Sequence, residues 1–280
     1  MLNTQTITEP IVIVDTTNIT KEEWLNYRRS GLGGSDAAPA VGVSPFTTAR
    51  DLYYDKLNIV PAIDDDDNWV QKEIGNLLED LVARIFHKRT GYRVYQIKKM
   101  FRHPVHSFMI ADVDYFVEMA DGKTAILEIK TTNYNNRNAW RDGKDEIIPF
   151  NYELQGRHYM AVMNLDRVYF CCLYGNNEGE VIHRHIDRDL QYESELIALE
   201  EDFWVNHVLA KKPPPYTENG DLVLESVRRH HGSADPDAPE ITLGAVPDSH
   251  WIFNIPLSVN TASPASPNGT KSASILETGA

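Results

Sequence analysis

Two strand-like segments joined by a tight turn constrain the fold of this chain more than any other feature. Residues 107–119 and 124–131 alternate in polarity and are rich in β-branched and aromatic side chains, a pattern typical of strands. Asp121 and Gly122 lie between them and mark a turn. The sequence therefore predicts a β-hairpin.

The second strand of this hairpin carries two charges within an apolar frame. Side chains two residues apart share a face of a strand, so Glu128 and Lys130 point one way. Leu127 and Ile129 are then expected to face a core on the other side. By the same rule Asp112 and Asp114 share one face of the first strand.

The length of the turn sets which side chains lie opposite each other. A three-residue loop over residues 120–122, with Gly122 in the left-handed conformation, places Asp114 opposite Glu128 and Asp112 opposite Lys130. A two-residue turn would put Asp114 and Glu128 on opposite faces. The sequence leaves both turns open.

Paired carboxylates across a ladder repel each other, and a divalent cation between them removes that repulsion. Oxygen ligands suit Mg²⁺, with Mn²⁺ as an alternative, so Asp114 and Glu128 are candidate metal ligands beside Lys130. The competing interpretation is a surface hairpin whose charges are merely solvated. The apolar frame from Ala125 to Ile129 favours a buried strand, where stray charges are costly.

Two predicted helices carry further polar residues at spacings that share a face. Gly75 and Glu79 are four residues apart; the glycine would allow a close backbone approach, and Glu79 could add a third carboxylate. Gln155, His158 and Tyr159 follow the same rule on a helix opened by Pro149. Alternatively, Glu79 is a solvated glutamate and His158 an ordinary helix histidine.

The order of the predicted elements indicates a mixed α/β or α+β protein with one domain over residues 1–232. Residues 133–148 are predicted to be loop, and the proline run 213–215 is predicted to end the packed region. Residues 233–280 are rich in Pro, Ser, Thr and Gly and are predicted to form a flexible tail, although Trp251–Phe253 could dock elsewhere.

The formal net charge of −14 is the main argument against a nucleic-acid partner, since phosphate binding usually requires basic residues. Part of the acidity lies in the run 64–67 and in a late helix. Basic residues cluster elsewhere, at Arg28–Arg29, Lys98–Arg102 and Arg137–Lys144. Binding depends on local potential rather than on the average.

The cysteines and the hydropathy exclude other classes of protein. Cys171 and Cys172 are the two cysteines of the chain, too few for an iron–sulfur cluster or a four-cysteine zinc site, and adjacent strand residues rarely bridge. We expect two buried thiols on a core strand. No apolar run approaches the roughly 20 residues of a membrane helix, so we expect a cytoplasmic protein.

Together these residues resemble the YqaJ-like viral recombinase family, relatives of phage lambda exonuclease within the PD-(D/E)XK nuclease superfamily. The resemblance spans roughly residues 20–215 and rests on ordered motifs: Arg28–Arg29 before Gly33–Ala37, then Gly75–Glu79, Ala111–Asp114, Leu127–Lys130 and Gln155–Tyr159. It implies a restriction-endonuclease-like core, a central mixed sheet flanked by helices.

For the chemistry, the resemblance implies a metal site. Asp114, Glu128 and the carbonyl of Ile129 would bind Mg²⁺ or Mn²⁺, and Glu79 would serve a second ion or its waters. Lys130 would hold the nucleophilic water. Two further residues, Gln155 and Tyr159, would support that site.

For the substrate, the resemblance implies double-stranded DNA ends, with one strand degraded 5′ to 3′ to leave a tail for a single-strand annealing protein. The terminal 5′-phosphate would be received by the loop that delivers Ser35 as the cap of a short helix, together with the neighbouring arginines. Free amides at a helix start and arginine forks both suit phosphate. The candidate phosphate-binding residues are Arg28, Arg29, Gly34, Ser35 and Asp36.

One position departs from the family pattern: Tyr115 follows the aspartate where relatives usually carry glycine, so local strand geometry is expected to differ. Ring-shaped homotrimers among relatives suggest the same assembly here. Two other interpretations stay open: an endonuclease or repair nuclease without end preference, and a catalytically silent DNA-binding module.

Overall fold

The computed structural model describes residues 9–61 and 68–232. The acidic run 64–67, the tail from residue 233 and Trp251–Phe253 lie outside the described residues. Within the described ranges, no helix combines the length and the hydropathy of a membrane span.

The first half of the described chain contains one strand, four helices and then a group of strands. In chain order they are β1 (Ile11–Asp15), α1 (Lys21–Arg29), α2 (Gly34–Ala40), α3 (Ala49–Lys56), α4 (Trp69–Thr90), β2 (Arg93–Tyr95), β3 (Lys99–Arg102), β4 (Ile110–Asp112), β5 (Tyr115–Glu118) and β6 (Thr124–Thr131).

The second half begins with a 3₁₀ helix (Tyr134–Trp140) and ends on a helix that the sequence did not predict. Its other elements are β7 (Arg141–Asp142), β8 (Asp145–Glu146), α5 (Phe150–Met163), β9 (Arg167–Leu173), β10 (Val181–Asp187), α6 (Leu190–Phe203), a π-helical turn (Trp204–Leu209) and α7 (Gly220–His231).

The central sheet has five strands in the order β10-β9-β6-β5-β2. The pair β6–β9 is parallel and the other pairs are antiparallel. A parallel pair needs a crossover connection, and α5 lies in it. A smaller sheet has the order β1-β3-β4. The predicted mixed sheet flanked by helices is confirmed.

Helices α4 and α5 cover opposite faces of the central sheet. Leu127 and Ile129 pack with Phe86 of α4 in one core, while Ile126 packs with Met160 of α5 in the other. The period of two along β6 produces this division, so Glu128 and Lys130 point to the α5 face. Both cysteines of β9 are free and buried, one in each core, as predicted.

The hairpin turn has the three-residue form, and its glycine is left-handed. Met119 N donates to the Lys123 carbonyl across it at 2.9 Å, and Gly122 has φ +80°. The register pairs Tyr115 with Leu127, which brings Asp114 level with Glu128. The placement of Asp112 opposite Lys130 is wrong, because the strand breaks and Asp112 pairs with Met100 of β3 instead.

Several local predictions also fail. Ser35 does not cap α2: Gly33 is its N-cap. Strand β3 was not predicted, and residues 133–148 form a 3₁₀ helix and a short hairpin rather than plain loop. Short, polar elements of this kind leave little hydrophobic periodicity to read.

The predicted end of the packed region at the prolines 213–215 is wrong, because α7 follows them and packs against α3. Its Ser226 is fully buried and donates to Asp51 Oδ1 at 2.9 Å, and His230 Nε2 lies 2.9 Å from the same oxygen. The other oxygen of Asp51 accepts from Thr48 Oγ1 at 2.8 Å. A buried carboxylate thus ties the two helices together.

We expect Ser226→Ala to lower the free energy of unfolding by about 1–2 kcal/mol, because Asp51 loses a donor that water cannot replace. The measurement is urea unfolding followed by circular dichroism. Leu224→Ala on the same helix is the control, since Leu224 is 50% exposed. Equal stability of the two variants would contradict a structural role for this contact.

Candidate active site

The centre of the site is the point where β5 stops pairing with β6. Beyond Tyr115 the strand turns away to the smaller sheet, and the N–H of Ile129 would lack a partner from β5. Asp114 Oδ2 accepts that N–H at 2.9 Å. The side chain of Asp114 therefore completes the ladder and is held beside Glu128.

Glu128 is 2% exposed and has two well-defined neighbours. Lys130 Nζ donates to its Oε1 at 2.8 Å, and Gln155 of α5 donates to the same oxygen. Its second oxygen, Oε2, is buried and has no hydrogen-bond partner within the part of the chain that the structure describes. A buried carboxylate oxygen of this kind is a site for a cation or a bound water.

The carboxyl groups here disfavour each other's ionised forms. Burial, followed by the charges of Asp114 and Asp112, raises the pKa of Glu79 to about 7. Burial, then the charge of Asp114, raises the pKa of Glu128. The pKa of Asp114 is also raised by its burial, although Lys130 opposes that shift. A bound cation would therefore stabilise the ionised forms of these carboxyls.

Lys130 carries the positive charge nearest to these carboxyls. Burial alone would lower its pKa, but Glu128 and Asp114 raise it above the ordinary lysine value. Its Nζ also lies 4.8 Å from the ring centroid of Tyr152, a cation–π distance. The side chain is 17% exposed, and it contacts the cavity residue Glu128 rather than lining the cavity itself.

The donor set fits a hard divalent cation. Carboxylate oxygens from Asp114, Glu128 and Glu79 line one cavity, and oxygen donors are those that Mg²⁺ and Mn²⁺ prefer. Among residues 9–61 and 68–232, no three His, Cys, Asp or Glu side chains form a ready-made metal group, so a backbone oxygen such as that of Ile129 would have to complete the set.

Arginine and serine side chains line the same cavity. Arg28 donates to Ser35 Oγ at 2.9 Å and to Asp36 Oδ1 at 2.8 Å, and its guanidinium lies over the Trp24 ring. Trp24 in turn donates to Asp112 Oδ2 at 2.7 Å. A chain of contacts thus joins the arginine to the strand that leads to Asp114.

The cavity includes most of the predicted site residues but not all of them. Those lining it are Arg28, Gly34, Ser35, Glu79, Asp114, Glu128, Gln155 and Tyr159. Arg29 is turned away, because its guanidinium binds the carbonyl and carboxylate of Asp55. Asp36 is buried behind Arg28 rather than facing the cavity, and Lys130 reaches the site through Glu128.

Sequence reasoning missed Trp24, Lys56 and the site role of Asp112. Trp24 lies on the amphipathic α1, where the sequence pattern indicates that an aromatic residue packs against the core. Lys56 has a fully buried side chain, which no local pattern indicates. The basic cluster at Lys98 was noted, and Lys98 lines the cavity.

Gly34 has a packing role that its assignment to phosphate binding did not anticipate. A Cβ at this position would lie 2.5 Å from the ring of Tyr159, and that ring is fixed because its hydroxyl donates to the Asp112 carbonyl. At Gly75, by contrast, a Cβ would meet Thr131 Oγ1 at 3.5 Å, which is an ordinary contact.

We therefore expect Gly34→Ala to destabilise the protein by about 1–3 kcal/mol through overpacking. Gly75→Ala should be neutral or should stabilise it by about 0.5–1 kcal/mol, because alanine favours a helix interior. Thermal unfolding of both variants tests the pair. A larger loss in Gly75→Ala than in Gly34→Ala would refute this description of the packing.

A buried ion pair between α5 and α6 holds α5 in place. His158 Nδ1 lies 2.9 Å from Glu200 Oε2, and its Nε2 lies 2.9 Å from the Ile110 carbonyl. Both partners are acceptors, so the ring donates from both nitrogens and is charged. Burial alone would lower the pKa of His158, but Glu200 raises it above the ordinary histidine value.

The raised pKa has a consequence for stability. A raised folded-state pKa gives stability that is complete below the unfolded pKa, about 6.5 for histidine, and that is lost as the pH rises through the folded value. His158→Gln should therefore lower the free energy of unfolding most at about pH 6. The difference in this free energy between the variant and the wild type should shrink at alkaline pH. Urea unfolding across this range measures it; a constant difference would contradict a charged His158.

Comparison with known proteins identifies the family of this chain. The profile of the YqaJ-like viral recombinase domain matches residues 23–166. The chain is 35% identical over 205 residues to "Uncharacterized protein YqaJ" of Bacillus subtilis (strain 168), a match that covers 72% of this chain and 61% of that protein. The chain belongs to the YqaJ-like viral recombinase family.

Solved structures support the fold. An alkaline exonuclease, LHK-Exo, from Laribacter hongkongensis is 20% identical with a TM-score of 0.53, covering 68% of this chain and 94% of that one. The structure of LHK-Exo in complex with dAMP gives a TM-score of 0.55 at the same identity and coverage. At this identity the likeness shows that the chain shares the fold of LHK-Exo.

Proposed function

We propose that this protein is a divalent-metal-dependent deoxyribonuclease that degrades duplex DNA from its 5′ ends, 5′ to 3′. The observation that carries this proposal is a single cavity lined by Asp114, Glu128 and Glu79 and also by Arg28 and Ser35. A carboxylate cluster suits phosphodiester hydrolysis with a metal, and an arginine fork suits a terminal phosphate.

The metal would be held by Asp114, Glu128 and the Ile129 carbonyl, with Glu79 serving a second ion or its waters. Mg²⁺ is the expected ion and Mn²⁺ an alternative. Such an ion supplies Lewis-acid activation of water and neutralises charge on the phosphate. The partnerless Glu128 Oε2 supports a cation at this point.

The residues of the chain have separable tasks in this reaction. Lys130 is a charged donor beside Glu128 and would hold the attacking water or the phosphate oxygens through the transition state. Gln155 fixes Glu128 by donating to its Oε1. Tyr159 fixes the backbone of Asp112 and so the turn that leads to Asp114.

Arg28 and Ser35 would recognise the 5′ end of the DNA strand. The Arg28 side chain is 25% exposed, and the orientation of its guanidinium is set by Asp36 and by the Trp24 ring. The exonuclease activity named for the Laribacter protein supports an end-directed reaction. The N–H groups of Arg28 that point into the cavity would then distinguish a 5′-phosphate from a 5′-hydroxyl.

Assembly and partners follow from the same proposal. We expect a homotrimer that encloses duplex DNA, a single-strand annealing protein as partner for the resulting tail, and action in the cytoplasm of a bacterial cell. A ring would allow a chain with a net charge of −14 to hold DNA through local positive potential alone.

The first test compares linear duplexes bearing a 5′-phosphate or a 5′-hydroxyl with closed circular DNA, in Mg²⁺ and in EDTA. We expect Mg²⁺-dependent degradation of linear DNA, faster from phosphorylated ends, and none of closed circles. Asp114→Asn should lower the rate of DNA degradation by more than about a hundredfold. The same variant should bind Mn²⁺ more weakly than the wild type, as measured by calorimetry. Cutting of closed circles at the linear rate would indicate an endonuclease instead.

The chain offers a matched pair for the phosphate site. Arg28→Gln should remove the preference for phosphorylated ends, whereas Arg29→Gln on the same helix should keep it, since Arg29 binds Asp55 outside the cavity. A preference that survives in Arg28→Gln would refute the assigned phosphate site.

A further inference from the structure

Lys56, the last residue of α3, is a lysine with no exposed side-chain surface. Its Nζ donates to Asp36 Oδ2 at 2.6 Å and to the main-chain carbonyl of Arg28 at 3.1 Å. Lysine is almost never buried completely unless it is paired. These two contacts explain where its charge goes.

Asp36 lies between two cations. Its Oδ1 accepts from Arg28, and its Oδ2 accepts from Lys56 and from the N–H of Gly33 at 2.8 Å. Burial alone would raise the pKa of Asp36, but Arg28 and Lys56 outweigh it and hold that pKa well below the usual range. The aspartate is therefore an anion under all ordinary conditions.

The charges of this group do not cancel. The three bonded groups hold two cations and one anion, and the exposed cation is Arg28 at the cavity wall. Asp55 and Asp112 also interact with Arg28, but Asp55 is paired with Arg29, and burial raises the pKa of Asp112. If Asp36 met Arg28 alone, the pair would be neutral and would attract an anion weakly. An uncompensated buried charge is costly, which favours an anionic ligand at this point.

We propose that Lys56 is a positioning residue for the terminal phosphate: by neutralising Asp36 and binding the Arg28 carbonyl, it leaves Arg28 charged, oriented and free to bind the 5′-phosphate. This inference rests on the proposed function. Lys56 does not touch the cavity and acts through Asp36 and Arg28.

A neighbouring pair provides the comparison. Asp55, one residue before Lys56, pairs with Arg29 at 3.3 Å and is 47% exposed. That pair has one cation and one anion, and it lies outside the cavity. Asp55→Asn therefore disturbs the same junction of α1 and α3 while leaving the contacts of Asp36 with Arg28 and Lys56 in place.

The test is the ratio of degradation rates on 5′-phosphorylated and 5′-hydroxyl linear duplexes in Mg²⁺. We expect Lys56→Met to lower this ratio by about tenfold, the size of one charge-assisted hydrogen bond. Lys56→Arg should restore much of the ratio, and Asp55→Asn should leave it unchanged. If Lys56→Met does not fold, Lys56→Gln replaces it with the same expected result.

The outcomes separate the two proposals. A wild-type enzyme with equal rates on both ends would overturn the phosphate site and the role of Lys56 together. A wild-type preference that stays unchanged in Lys56→Met, with both rates lowered equally, would overturn the role of Lys56 alone and would leave the proposed function standing.

Discussion

The hydrogen bond from the Ile129 N–H to Asp114 Oδ2 is the contact on which the rest of the site depends. It allows β5 to leave β6 without exposing a buried backbone donor, which would otherwise cost about 1–3 kcal/mol. The same contact sets Asp114 next to Glu128 on adjoining strands. A break in the sheet and a carboxylate pair are thus one structural feature, and the strands that flank it supply the rigidity.

Local charge explains how an acidic chain can present a surface for phosphate. The carboxylates meet at one part of the cavity, where burial makes each ionised group costly and a cation favourable. At the other part, Lys56 and Arg28 outnumber Asp36. Negative charge elsewhere on the surface is screened by salt beyond about 10 Å. The electrostatic potential at each end of the cavity therefore depends little on the net charge of the chain.

Features that depend on residues close together in the sequence could be predicted. Contacts between residues that are far apart in the sequence could not. The period of two in β6 predicted that Glu128 and Lys130 share one face of the strand and that Leu127 and Ile129 face a core on the other. The break between Asp112 and Asp114 could not be read, because it depends on the pairing of β4 with β3. The burial of Lys56 was equally hidden, since its partners lie 20 and 28 residues away. Helix α7 is stabilised by Asp51, 175 residues earlier than Ser226, and no local signal reports that partner.

Helix α5 connects the two parts of the cavity and therefore fixes their separation. Gln155 binds Glu128 at the carboxylate end, and one turn later Tyr159 packs against Gly34, next to Ser35. Between them, His158 ties the helix to the Ile110 carbonyl on its inner side and to Glu200 behind it. Under the proposed function, the distance from the bound terminal phosphate to the bond that is cut is set by a helix rather than by a loop. A packed helix is stiffer than a loop. Substitutions that loosen the packing of α5 should therefore make the position of cleavage less precise before they abolish hydrolysis.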